Sequence, residues 1–121
     1  MGYRQMTTQG SRVTFETFND GVCAFCPPDE EGNAGKPKEK IRYGERTVGS
    51  QRYYEAMTNK VKIDHMIRVP YQPWLTTEYL AVISGEVYEI VQVQLIPDTL
   101  PRTQNVTLHR SRQRRITYGT V

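Results

Sequence analysis

Few residues in this 121-residue chain have types and spacings that suggest chemistry. Cys23 and Cys26 form a Cys-x-x-Cys pair, a spacing found in zinc sites and in thiol–disulfide oxidoreductases. A structural zinc site needs about four ligands, and the only histidines, His65 and His109, lie far from each other in the sequence. A thioredoxin-type pair belongs at a strand-to-helix junction, whereas this pair ends a strand before two prolines. We therefore expect two reduced thiols at the edge of the core, with a metal site or a redox pair as the lesser alternatives.

The remaining polar residues do not assemble into an active site. His65 falls in the middle of a strand, on its apolar face, where a packed or hydrogen-bonded histidine is the expected structure. The acidic run Asp29–Glu31 is typical of a solvated turn. No Ser/His/Asp set, paired carboxylates or phosphate-binding loop occurs at a recognisable spacing. The sequence therefore predicts a protein that is not an enzyme and that needs no cofactor and no metal.

Positive charge is concentrated near the C-terminus, at Arg110, Arg112, Arg114 and Arg115. Without these four arginines, the chain has 12 basic and 13 acidic residues. A near-neutral body argues against a dedicated duplex-binding protein, whose basic charge should cover a folded face. Arginine clusters on short tails are often interaction segments. This cluster could bind phosphates or an acidic surface on a neighbouring protein, although a merely solvated terminus is the plainer alternative.

Alternating and short apolar segments predict the elements that carry these residues. Residues 12–18, 60–71 and 106–110 read as strands, and a run over 22–26 could form a hairpin with the first of them. A tight turn at Ser84-Gly85-Glu86 joins strands over 80–83 and 87–94, and the doublet Ile90-Val91 suggests a bulge in the second. Ser50 resembles an N-cap for one short helix over 51–59.

These elements predict a mainly β fold, a small antiparallel β-barrel with about six or seven short strands, one short helix and one long loop. The domain organisation is an N-terminal arm over residues 1–11, the barrel over 12–110 and a C-terminal tail over 111–121, which has little to bury. No apolar run approaches the roughly 20 residues that span a bilayer, and Met1–Ser11 lacks the apolar region of a signal peptide. We expect a soluble protein made in the cytoplasm.

The long loop spans residues 29–48, and its positive and negative charges cancel. Loops of this length inside a compact domain are functional or disordered. Ile41 and Tyr43 alternate with Lys40 and Arg42, so a short strand could form at its centre. A lone strand needs a partner, which could lie in another subunit.

Residues 49–110 resemble the bacteriophage head–tail joining proteins, also called head closure, stopper or head completion proteins. The resemblance rests on four stretches, which are Gly49–Ala56, Asp64–Tyr71, Ser84–Ile90 and Val106–Leu108. They match a short helix, a strand with an arginine, a glycine hairpin leading into a Tyr-x-Ile strand, and a closing strand. This pattern covers about half of the chain. The long charged loop and the cysteine pair depart from it.

The resemblance implies a virion protein at the head–tail interface, assembled in the host cytoplasm. Its subunits would form a homo-oligomeric ring of six or twelve copies, below the portal or adaptor protein and above the tail tube or tail terminator. Such a ring retains packaged double-stranded DNA without sequence specificity, offers the tail a docking surface and opens at ejection; no membrane is involved.

Two groups of residues acquire roles under this hypothesis. The long loop would narrow the channel by strand addition between neighbouring subunits, with Lys36, Lys38, Lys40, Ile41, Arg42 and Tyr43 as the gating set. Arg110, Arg112, Arg114 and Arg115 would contact the adaptor or the tail. The alternative function is a small β-barrel that binds single-stranded nucleic acid through stacked tyrosines, for which Tyr53, Tyr54, Tyr71 and Tyr79 are the candidates.

Overall fold

Short strands with one apolar face account for most of residues 14–46 and 63–119, which are the parts of the chain that the computed structural model describes. Within those ranges the strands are β1 (Thr14–Phe15), β2 (Gly21–Cys26), β3 (Glu39–Arg46), β4 (His65–Pro70), β5 (Leu80–Ile83), β6 (Glu86–Ile96), β7 (Thr99–Leu100) and β8 (Thr103–Arg110). The helix predicted over 51–59, the arm over 1–11, and Tyr53 and Tyr54 lie outside the described residues.

Six of these strands close into a barrel in the order β2-β3-β4-β8-β6-β5, and β5 pairs back onto β2. Every pairing in the barrel is antiparallel. The predicted fold class, a small antiparallel β-barrel, is therefore confirmed. The remaining two strands, β1 and β7, form a separate parallel pair of two residues each.

The barrel interior is filled by side chains that alternate along the strands. Ile67 and Val69 of β4 and Val106 and Leu108 of β8 are fully buried there. Phe25 of β2 joins the same cluster, and its ring meets the Trp74 ring edge-on, with centroids 6.2 Å apart. Alternation with a period of two, which predicted the inward face of β4 and β8, is what allows one layer of apolar side chains to fill the interior.

The predicted hairpin is present, with its turn one residue shorter than expected. Ser84 and Gly85 are the two turn residues between β5 and β6, and both have positive φ, at 51° and 79°. Positive φ at both positions matches the right-handed twist of the flanking strands. The pairing of β6 with β8 shifts register between Ile90 and Gln92, which confirms the predicted bulge.

Two sequence predictions about pairing were wrong. In the described residues, the N-terminal strand is Thr14–Phe15, and it pairs in parallel with β7, not with β2. The lone strand expected inside the 29–48 loop is β3, an eight-residue barrel strand that pairs with β2 through Glu39–Tyr43 and with β4 through Gly44–Arg46. The second prediction failed because the charged residues beside Ile41 and Tyr43 are typical of a loop. In a barrel strand, only the residues that point inward must be apolar.

A buried carboxylate holds the segment after β1 against the barrel wall. The Glu16 side chain is 5% exposed and accepts hydrogen bonds from Arg46 and, at 2.9 Å, from Arg68 Nη1. Arg68 Nε also donates to Asn105 Oδ1 at 2.8 Å. Gly44 lies beneath this segment, since a Cβ there would stand 3.2 Å from the Thr17 carbonyl oxygen. Glu16 thus attaches this segment to the barrel through ion pairs with two arginines.

The C-terminal segment also lies on the outer surface of the barrel, contrary to the expectation that it has little to bury. Ile116 and Tyr118 pack against a second apolar cluster that lies outside the barrel interior. That cluster consists of Ala24, Cys26, Ala34, Leu80, Val82 and Val87. Ile116 also forms a parallel bridge with Ala34, which lies in the turn region between β2 and β3.

Across residues 14–46 and 63–119, no helix has the length and apolar character that crossing a bilayer requires.

Candidate functional site

The two cysteines occupy opposite faces of β2. Cys23 points into the barrel interior with Phe25, whereas Cys26 belongs to the outer cluster beneath Ile116 and Tyr118. Residues three apart on a strand necessarily point to opposite faces, so one metal ion or one disulfide cannot join these sulfurs. Burial raises the pKa of both thiols, which keeps them protonated and poorly nucleophilic. In the described part of the chain, no cluster of His, Cys, Asp or Glu has a metal-binding arrangement.

Each histidine lies beside one carboxylate, and the two carboxylates belong to different residues. His65 Nδ1 lies 3.2 Å from a Glu45 carboxylate oxygen, and its ring meets the Tyr88 ring edge-on at 5.3 Å. His109 Nδ1 lies 3.3 Å from Asp64 Oδ2. Each side chain is about one-third exposed. His65 lies at the start of β4, opposite the buried Leu108, and its contacts to Tyr88 and Glu45 confirm the expected packed or hydrogen-bonded histidine.

The structure separates the predicted gating set into two groups. Ile41 and Tyr43 are buried in the barrel core, and their backbone pairs with β2 of the same chain, so they are not available for strand addition between subunits. Lys36, Lys40 and Arg42 are exposed, and the Lys38 ammonium lies 5.4 Å from the Trp74 ring centroid. Only the four cations of the set can meet another molecule. A gating role for them stays a prediction.

The four arginines of the tail line one cleft. It has a volume of about 480 Å³, and its walls are the start of β6 and the segment that follows β8. Its lining residues are Gly85, Glu86, Val87, Arg110, Ser111, Arg112, Arg114, Arg115 and Ile116. Arginines that were adjacent only in sequence are therefore gathered around one concave surface, hereafter the arginine cleft.

Backbone hydrogen bonds fix the positions of the arginines. Ser111 N donates to the Val87 carbonyl oxygen at 2.9 Å, which continues the pairing of β8 with β6 into the tail. Arg114 N donates to Ser111 Oγ at 3.2 Å, which closes a turn with Arg112 inside it. Arg115 N donates to Asn33 Oδ1, and its carbonyl oxygen accepts from Ala34 N. The arginines thus stand on an ordered backbone rather than on a loose terminus.

Two of the four charges are neutralised by partners in the same chain. Arg110 Nε lies 3.1 Å from Glu86 Oε1, and Arg114 Nε lies 2.9 Å from Glu89 Oε2. Arg114 Nη1 also donates to the Gly32 carbonyl oxygen. Arg112 and Arg115 are exposed and have no ion pair within the described ranges. The arginine cleft therefore offers two uncommitted guanidinium groups to a ligand.

Sequence reasoning missed the partners that build this site. Nothing in the order of residues connects Asn33 and Ala34 to the tail, more than 80 positions away. The available signal was the alternation of Ile116 and Tyr118, an apolar pair at strand spacing after a basic run. It indicated that one face of the tail is covered.

The two described tyrosines named for base stacking are already in contact with other side chains. The Tyr79 ring packs against Trp74, with centroids 5.2 Å apart, and it contacts the barrel core. The Arg102 guanidinium lies 4.6 Å from the centroid of the Tyr71 ring. These placements do not form an open row of rings, so no observation favours the nucleic-acid alternative over the head–tail reading.

No protein-family model matches the chain, and no curated protein matches it.

Proposed function

We propose that the chain is a structural subunit of a phage head-to-tail connector, which closes the portal channel after DNA packaging and provides a docking surface for the tail. One observation carries the proposal. Three stretches of the resemblance to head–tail joining proteins fall on β4, on the β5–β6 turn with the start of β6, and on β8. Since β8 lies between β4 and β6, the pattern maps onto one continuous wall of the barrel rather than onto scattered segments.

The surface of the subunit suits contacts to several neighbours. Leu95 and Leu100, which are 41% and 53% exposed, both lie near the end of the β6–β8 hairpin that is joined through β7. The arginine cleft lies beside the β5–β6 turn, at the opposite end of β6. An apolar contact at one end and a basic contact at the other fit a subunit placed between different virion components, because each end offers a different chemistry.

Closure of the channel needs no reaction step in this proposal. A ring of such subunits opens by rearranging contacts between subunits, and the exposed cations Lys36, Lys40 and Arg42 on one side of the barrel are candidates for the channel surface. Their charge is offset by nearby acids such as Glu39. A weakly charged lumen retains DNA by obstruction and does not hold its phosphates strongly at exit.

The test is the position of the chain in the particle whose genome encodes it. A reconstruction of the virion should show a ring of this chain between portal and tail, and a null allele should give filled heads that lose DNA and do not join tails. Absence of the chain from purified virions, or normal virions from the null allele, would reject the proposal. An oligonucleotide titration followed by tyrosine and tryptophan fluorescence tests the alternative.

A further inference from the structure

The arginine cleft has features of a binding site for carboxylates rather than for a nucleic-acid backbone. We propose that it binds an acidic peptide segment on another protein, whose glutamate or aspartate side chains pair with Arg112 and Arg115. The cleft lies on a single subunit, so its binding can be measured whether or not the chain forms a ring.

The arginine cleft has the size of a site that holds a few side chains. A volume of about 480 Å³ is close to that of a small-ligand site. It accommodates a few side chains of an extended segment. Gly85 leaves the rim open, because a Cβ at this position would meet no atom within 4 Å. A peptide backbone can therefore approach the β5–β6 turn without a side chain in its path.

The arginine cleft carries negative as well as positive side chains. Glu86 lines the cleft, and Glu89 is paired with Arg114. These carboxylates repel a continuous polyanion, whereas they tolerate a ligand with a few well-placed charges. Without the four cleft arginines, the chain has 12 basic and 13 acidic residues, so the protein has no surplus of positive charge with which to continue a phosphate track. A duplex-binding surface needs such a track.

The arginines of the cleft are held in position before a ligand binds. The hydrogen bond from Arg114 N to Ser111 Oγ holds the turn that carries Arg112, and Asn33 holds the backbone of Arg115. Arg110 and Arg114 are held by Glu86 and Glu89 and line the same cleft as Arg112 and Arg115. Guanidinium groups pair with carboxylates through two parallel hydrogen bonds, and a fixed backbone reduces the ordering cost of forming them.

The experiment measures binding of a labelled, acetylated Glu-Ser repeat peptide to the full chain by fluorescence anisotropy at low salt. The double variant Arg112→Gln/Arg115→Gln should weaken binding about tenfold, which corresponds to about 1.4 kcal/mol for two exposed pairs. The matched control Lys40→Gln/Arg42→Gln removes the same charge from exposed positions on β3 and should bind like wild type. The difference should shrink at high salt, because screening weakens exposed pairs. Equal melting temperatures establish that all variants are folded.

Each other outcome would overturn the proposal. Binding of a short DNA duplex through the same two arginines, with none of the peptide, would identify a phosphate site. Self-association that depends on Arg112 and Arg115 would identify a second copy as the occupant, with its exposed Glu30 and Glu31 as ligands. Equal weakening in the cleft variant and the control would mean that only net charge matters. If the wild-type chain does not bind the peptide at low salt, the proposal is wrong, because the cleft then does not bind an acidic peptide.

Discussion

Thiol labelling of Cys26 can measure how firmly the C-terminal segment is held on the barrel. Cys26 lies beneath Ile116 and Tyr118, whereas Cys23 lies inside the barrel. A reagent reaches Cys26 when the tail detaches, but it reaches Cys23 only when the barrel itself opens. Local openings need less free energy than global unfolding. In single-cysteine forms, made with Cys23→Ala or Cys26→Ala, we therefore expect Cys26 to react faster than Cys23 in the otherwise wild-type chain.

The perturbation is Ile116→Ala, which removes one side chain from the tail contact. A fully buried isoleucine replaced by alanine costs about 2–5 kcal/mol. Ile116 is only partly buried, so about 1–2 kcal/mol of docking free energy should be lost. This loss should raise the labelling rate of Cys26 about 5- to 30-fold. Labelling must be compared at one fixed pH, because burial raises the pKa of the Cys26 thiol and only the thiolate reacts.

The matched control is Ile67→Val, which weakens the barrel interior by about 1 kcal/mol without touching the tail. Ile67→Val should speed the labelling of Cys23, which needs the barrel to open, and leave the labelling of Cys26 unchanged. Ile116→Ala should speed the labelling of both cysteines, because the contact it weakens is lost when the tail detaches and also when the barrel opens. The docked tail would be refuted if Cys26 reacted as fast as a thiol in an unfolded peptide. Independent tail opening would be refuted if Cys23 and Cys26 reacted at the same rate, or if Ile67→Val changed both rates equally.

Two further predictions concern the buried carboxylate and the tail phenol. Glu16→Gln should lower the free energy of unfolding in urea by about 2 kcal/mol, because two arginines lose their buried counter-charge while remaining partly solvated. The control, Glu31→Gln at an exposed position, should change this free energy by less than about 0.5 kcal/mol. Equal effects of the two variants would show that the ion pairs of Glu16 do not stabilise the fold. Burial, together with the hydrogen bond to Cys26, raises the pKa of Tyr118 from 10.0 to about 12. The folded state therefore holds this proton more tightly than the unfolded state, and its contribution to stability is complete below pH 10 and is lost as the pH rises to about 12. Tyr118→Phe should lose stability less steeply across that window in urea titrations, and parallel curves for the two proteins would contradict the assigned environment.

Local patterns predicted those parts of the fold that local rules control. The Ser84-Gly85 turn, the bulge after Ile90 and the inward faces of β4 and β8 follow from turn chemistry and from alternation with a period of two, both of which act over a few residues. β3 was predicted only as a short lone strand at the centre of a loop, because its outward residues are charged and its partners β2 and β4 become its neighbours only on folding. The N-terminal segment was predicted as a strand, and the ion pairs of Glu16 with Arg46 and Arg68, which are distant in the sequence, were not predicted.

The candidate site also depends partly on the sequence alone and partly on the tertiary structure. The sequence by itself determined that four arginines lie within six positions on an otherwise near-neutral chain, and it left a metal site or a redox pair at Cys23 and Cys26 as lesser alternatives. The tertiary structure placed the two sulfurs in different clusters, on opposite faces of β2. Only the tertiary structure decided which arginines remain available, because Glu86 and Glu89 reach Arg110 and Arg114 across the β6–β8 pairing. It also converted the terminal tail into one wall of a cleft. Charge is a property of residue type, whereas its neutralisation depends on which strands become neighbours when the barrel closes.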